Sequence, residues 1–301
     1  MRSYSIPKTI TISNGYNINV RQYGIELLEK FGKNINMDDS QSADAMDFVR
    51  EKFQKYNLRF HKYEFGHPTK LFGKGETGIG TNFYSILPGR RNIANECWVL
   101  TFNRRNVYEI ITVLTVLETL SLSDRPIPLD VMFVGLDGRF KRFGIGADNF
   151  LKHFRSNQRQ TDRCSLVRKG MNIEALFGGN ESVLTLSPYG INSNMADLDY
   201  IQATIRSQIL LNKNGFKTKM RLVEENQNFS LQVKNKLNDY IYNPLSSAFP
   251  EFFQPLKSHL TFSSLKKAII GNPNEAHSHL LDNGIKAYTI RLSLSRENLK
   301  V

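Results

Sequence analysis

Hydrophobic positions along the chain fall into two patterns. From Ser42 to Tyr56, Met46, Val49, Phe53 and Tyr56 recur three and four apart and share one face, which predicts a helix. Ser42 reads as its N-cap, Asp44 and Asp47 suit the positive end of its dipole, and Asn57 ends it. Val107, Ile110, Ile111, Leu114, Leu117 and Leu120 give a second helical face over Asn106–Ser121. The other pattern is the unbroken apolar run, Cys97–Leu100 and then Val131–Val134. Runs of that kind imply strands covered on both faces, as in a mostly parallel sheet.

Further strands are expected at Leu58–Phe65, Asn82–Leu87, Met171–Leu176, Val183–Leu186 and Ile285–Leu292. Further helices are expected at Gly146–Phe154, Asp197–Leu211, Leu231–Tyr240 and Ser263–Ile269. The glycine-rich stretch 66–80 reads as a loop. No repeat and no linker interrupts the alternation. The expected architecture is α/β, a mixed, largely parallel sheet flanked by helices, with an N-terminal extension over 1–40 and one domain over 41–301.

Composition sharpens this only in part. Of 301 residues, 40% are hydrophobic and 23% charged, which excludes a disordered tail. The net charge of +12 favours acidic partners or anionic membrane surfaces. The basic residues stand in short groups such as Arg104-Arg105, without aromatic interleaving or zinc-finger spacing, so nucleic acid is not an expected partner. No apolar run approaches the roughly 20 residues of a membrane-crossing helix. Two cysteines are too few for a disulfide scaffold. Cys97 reads as an inert buried thiol, and Cys164 has no histidine close in sequence to activate it. There is no phosphate-binding loop, no Gly-x-Ser-x-Gly and no His-Glu-x-x-His.

One C-terminal string adds a resemblance. Gly271 to Arg291, with His277, Gly284-Ile285 and Ala287 inside it, resembles the closing segment of the co-catalytic zinc aminopeptidases. There a loop His binds metal, and a short helix, a Gly-Ile-x-Ala turn and the last strand follow. Cys97–Asn103 and Val131–Gly138 resemble that family's strand-helix-strand core, and Met171–Glu174 its carboxylate-bearing strand. Two-metal hydrolysis needs a dense ligand set around a bridging carboxylate. The resemblance puts the first His-x-Asp near Asn103-Arg104-Arg105, the bridging Asp at Asn106-Val107-Tyr108, and the paired Glu at Arg139-Phe140. Only Glu174 and His277 keep ligand-capable side chains, so they are the vestigial metal positions, and no cofactor is expected.

Four strings in order are similar to the GPI-anchor attachment protein family, accessory subunits of GPI transamidase. They are Gly80–Arg90, Trp98–Leu100, Ser187–Tyr200 and Gly271–Arg291. The resemblance implies a zinc-aminopeptidase-like fold and a non-catalytic subunit of the endoplasmic reticulum complex, acting on its lumenal side. The implied partners are the other subunits, including a cysteine-protease-like one, and the GPI lipid or proprotein substrate. It further implies that this chain is the lumenal domain alone, a truncated product or a divergent member. Asn180 and Asn228 lie in glycosylation triplets that fit a lumenal location. The competing expectation is a metal-dependent aminopeptidase-like hydrolase with a rearranged site. It requires a second carboxylate, from Asp137 or Asp148 for example, and a second His converging on Glu174 and His277.

Overall fold

A computed structural model of the protein describes residues 24, 26–32, 37–68, 77–89, 96–123, 127–138, 143–157, 164–179, 183–188, 190, 194–213, 219–221 and 276–295. In chain order these hold α1 (Asp39–Lys55), β1 (His61–Pro68), β2 (Thr77–Leu87), β3 (Glu96–Asn103) and α2 (Val107–Ser121). There follow β4 (Asp130–Leu136), α3 (Phe143–Asn157), β5 (Leu166–Gly179), β6 (Val183–Ser187) and α4 (Leu198–Lys213). The last are β7 (Lys219–Arg221), α5 (Ala276–Asp282) and β8 (Lys286–Ser295). The helices expected near 231–240 and 263–269, residues 69–76 of the loop expected over 66–80, Asn180 and Asn228 lie outside the described residues, while the two ends of that expected loop are strand, 66–68 in β1 and 77–80 in β2.

The strands form one mixed sheet in the order β1-β2-β4-β3-β5-β8-β6-β7. Its centre, β4-β3-β5-β8, is parallel. The hairpin β1-β2 joins one side antiparallel, and β6 joins the other. The apolar runs behave as a doubly covered strand must. In β3, Leu100 and Phe102 pack with Phe53 of α1 and Ile110 and Leu117 of α2. The alternate residues Cys97 and Val99 pack with Phe150 and Leu151 of α3 and Leu280 of α5. Burying a large aliphatic or aromatic side chain contributes about 1.5–3 kcal/mol, so covering both faces makes this centre the stable part of the fold. Leu27, Phe31 and Met37, inside the stretch expected to be an extension, also belong to the core under α1 and α2.

Helix boundaries follow their caps. α2 begins where expected, because the Asn106 side chain accepts the Tyr108 N–H at 3.1 Å. α1 begins three residues before its expected start. Its N-cap is Asp38, which accepts the Gln41 N–H at 2.7 Å. Ser42 lies buried inside the helix, its hydroxyl reserved for another partner. The cysteines are a larger departure from expectation. Cys97 and Cys164, both fully buried, form a disulfide with Cα atoms 5.2 Å apart, tying β3 to the entry of β5. The thiol readings of both residues are therefore corrected.

The path of the chain creates one special place. From β3 it crosses one face through α2 to reach β4, then crosses the other through α3 to reach β5 on the far side of β3. The connections diverge at β3 and β5. In open α/β sheets ligands bind in such a crevice, at the carboxyl ends of the strands.

Replacing both cysteines by Ala opens a loop with a sequence separation of 67 residues. A disulfide of this span typically stabilises by about 2–4 kcal/mol. Urea unfolding of Cys97→Ala/Cys164→Ala is expected to show a loss of that size, matched by the reduced wild-type protein.

Candidate functional site

Around the carboxyl ends of the central strands stand polar side chains that are almost wholly buried. Asn103, Arg104, Arg105, Asn106, Glu109, Asp137, Asn172, Glu174, His277 and Thr289 are each less than 9% exposed. Polar groups at that depth must be paired, and here the pairing forms three linked clusters.

The first surrounds Asp137, at the end of β4. Its Oδ2 accepts from Arg104 Nη2 at 2.8 Å and from the Thr81 N–H of β2 at 3.0 Å. Its Oδ1 accepts from Arg105 Nε at 3.2 Å. Arg104 Nη1 donates to Ser42 Oγ of α1 at 2.9 Å. Arg105 Nη1 donates to the Met37 carbonyl at 3.0 Å, and Nη2 donates to Asp39. Burial alone would push the Asp137 carboxyl up. The Arg104 charge and hydrogen bond, the Thr81 N–H and the Arg105 charge together outweigh it and hold it below its usual value.

In the second cluster Glu109 bridges the ends of β3 and β5. Its Oε2 accepts the Asn103 N–H at 2.6 Å, and its Oε1 accepts the Ala175 N–H at 3.1 Å and Asn106 Nδ2 at 2.8 Å. Asn106 Nδ2 also donates to the Ala175 carbonyl at 2.9 Å. One helix residue and its cap thereby satisfy the backbone of both strands where they part. Burial pushes the Glu109 carboxyl well above its usual range. The nearby Glu174 charge adds to that push, and the hydrogen bonds from Asn103, Ala175 and Asn106 oppose it.

A cross-strand row makes the third. Thr101, Asn172 and Thr289 are register partners on β3, β5 and β8. Thr101 Oγ1 donates to Asn172 Oδ1 at 2.8 Å, and Asn172 Nδ2 donates to Thr289 Oγ1 and Glu174 Oε1, both at 3.1 Å. The carboxylate can only accept, so it fixes which way the Asn172 amide points. His277 Nδ1 lies 2.7 Å from Thr289 Oγ1, and Arg291 Nε donates to Glu174 Oε2 at 2.7 Å.

The two expected ligand positions thus share one network but are not adjacent donors. Glu174 reaches His277 only through Asn172 and Thr289. The second carboxylate beside Glu174 is Glu109, which sequence reasoning missed. Its signal was the Asn106-x-x-Glu109 spacing of a capping box. Asp137 faces the arginines, and Asp148 pairs with Lys152 on α3. Among the described residues no second His is bonded to this network; His61 and His153 stack on Tyr84 and Tyr63. Among the described residues no group of three or more His, Cys, Asp or Glu could hold a metal ion.

A dication does not fit these donors. Asp137 holds two guanidinium groups, and Glu174 holds a third. Two like unit charges 4 Å apart repel by about 4 kcal/mol at an effective dielectric of 20, and a dication doubles that.

No family model matches the chain, and no curated protein matches it by sequence. Solved structures do match. A glutaminyl cyclase from Fimbriiglobus ruber superposes with a TM-score of 0.54 at 8% identity, covering 99% of this chain and 87% of that one. The LapA aminopeptidase of Legionella pneumophila gives 0.48 at 9% identity, covering 97% and 67%. The likeness is one of fold: a mixed α/β sheet flanked by helices, as in that glutaminyl cyclase. The match corrects one expectation. The chain was expected not to be an enzyme, yet the protein it superposes on along nearly its whole length is one.

Asp137→Asn leaves two buried guanidinium groups short of their shared counter-charge. The expected cost is about 3–5 kcal/mol, read from urea unfolding at pH 7. A depressed carboxyl pKa contributes stability above its unfolded value and loses it as pH falls through the folded value. Wild-type stability should therefore fall below about pH 4, while the variant, already weaker, falls less there.

Proposed function

We propose that this chain takes part in attaching GPI anchors to protein C-termini, as a lumenal domain of a transamidase-type complex in the endoplasmic reticulum. Its crevice between β3 and β5 is the face that meets substrate. Its partners in this reading are the other subunits, among them a cysteine-protease-like one, and the GPI lipid or the proprotein.

The observation that carries the reading joins two of the four similar strings. The turn in Ser187–Tyr200 closes through Gly190 N to the Asn194 carbonyl at 2.8 Å and Ala196 N to the Pro188 carbonyl at 2.9 Å. Gly190 in that turn is pressed onto α5. A Cβ there would come within 2.8 Å of Leu281 and 3.4 Å of Ser278. Strings about 90 residues apart in sequence are built as one unit, so they support the family reading together and not as independent coincidences. The Cys97–Cys164 disulfide adds support, since such bonds persist in oxidising compartments such as this lumen.

A mild-detergent pull-down of the tagged protein, expressed from its full locus in its own cells, tests the reading. Recovery of a cysteine-protease-like subunit with membrane partners is the expected result. A chain recovered without partners overturns it. Gly190→Leu should reduce that recovery and the level of GPI-anchored surface proteins while Cys97–Cys164 stays oxidised.

A second reading, an enzyme acting at peptide ends, is favoured by Glu109. It supplies a second carboxylate beside Glu174, and paired carboxylates are what acid–base chemistry at a carbonyl uses. Release of N-terminal residues or cyclisation of N-terminal glutamine by the purified chain, lost in Glu174→Gln, would establish it.

A further inference from the structure

We infer that the Arg104–Asp137–Arg105 group is the permanent ionic tie of this centre, standing where a metal would otherwise join the elements. It gathers the strand ends without any divalent metal, so the chain folds and is stable metal-free. The inference concerns the molecule's assembly and does not rest on the proposed function.

Four observations combine. The pair follows β3 directly, and both side chains are buried with Asp137 between them. Both Asp137 oxygens accept from N–H donors, two of them on guanidinium groups whose positive charge stands where a metal would have to approach. The guanidinium groups reach outward to a second element, α1, through Ser42, Asp39 and the Met37 carbonyl. Arg105 and Met37 also bond reciprocally through the backbone, Met37 N donating to the Arg105 carbonyl at 3.0 Å. Together these contacts join β2, β3, β4 and the start of α1 around one carboxylate. A metal ion joins elements by collecting several oxygen donors around one cation. Here the polarity is inverted, with one anion collecting N–H donors from several elements.

The planar fork of arginine is needed for this, because each group must satisfy Asp137 and a partner on α1 at fixed angles. Lysine would keep the charge and lose the geometry. The charges also close. Two guanidinium groups stand against Asp137 and Asp39, which leaves no excess negative charge to recruit a dication.

The test uses the purified full chain, produced with zinc and calcium in the medium and desalted. Metal content is measured by elemental mass spectrometry, and melting is followed with EDTA and with added Zn²⁺, Mn²⁺ or Ca²⁺. The expected result is well under one ion per chain and a melting temperature unmoved, to within about 1 °C, by chelator or metal. One or two ions retained per chain, or a rise of more than about 5 °C with any of these metals, overturns the inference. Arg104→Lys/Arg105→Lys keeps the charge and is the complementary variant. It should melt lower than wild type by several degrees, on the order of 5 °C or more, and no added metal should restore it. Unchanged melting of that variant, or its rescue by metal, also overturns the inference.

Discussion

A buried carboxylate must be paired or it neutralises, and Asp137 is paired by two arginines at once. Much of the architecture follows from that constraint. Arg104 and Arg105 can reach Asp137 only because β3 and β4 are parallel neighbours in register, Asn103 facing Leu136, so that both strands deliver their next residues to the same end of the sheet. The same guanidinium groups hold the start of α1, which in turn lays Ala45, Val49 and Phe53 over the sheet. Asn82 completes the arrangement from β2. Its Oδ1 accepts the Asp137 N–H at 2.9 Å, and its Nδ2 donates to the Gly146 carbonyl of α3 at 2.9 Å. One ion-paired centre thereby couples a helix on each face to three strands.

The sheet changes character along its strands for the same reason. Toward the amino ends, β3, β5 and β8 bury Cys97, Val99, Gly170 and Ala287 against α3 and α5. From the level of Thr101 onward that same face is polar. An apolar core could not tolerate isolated polar groups there, but a row in which each donor has its acceptor costs little. Gly138 shows how tightly the row is fitted. A Cβ at that position would stand 2.7 Å from the Asn103 side chain, whose Oδ1 accepts the Arg105 N–H.

Much of the fold was legible in the sequence, and the reasons are physical. Unbroken apolar runs such as Val131–Val134 have a single explanation in a soluble sheet, burial on both faces, and β4 is buried along its whole length. The start of α2 was legible because Asn106 caps it as asparagine does. Ser42 misled because serine suits an N-cap and a buried acceptor equally well, and only Arg104, 62 residues away, decides between them. The disulfide was illegible for a similar reason. Cys97 sits in an apolar strand and Cys164 in a polar loop, and nothing local says that parallel pairing of β3 with β5 brings them together. The site was half legible. Glu174 and His277 do lie in one network, but the two links between them, Asn172 and Thr289, depend on strand register. Opposite charges at the ends of two expected neighbouring strands, Arg104-Arg105 and Asp137, were the unused signal.

The likeness to a glutaminyl cyclase fixes less than its coverage suggests. At 8% identity it speaks for the path of the chain, and folds carry function only through the sites grafted onto them. What this chain has is a topological switch point at the carboxyl ends of β3 and β5, where the connections diverge. What distinguishes it is the donor set. Three arginines answer the acidic groups Asp137 and Glu174, and backbone N–H groups answer Glu109. A substrate meeting this crevice encounters amide and guanidinium donors around carboxylates that are already engaged. Any reaction there must draw on the carboxylates by loosening bonds that also hold the strands.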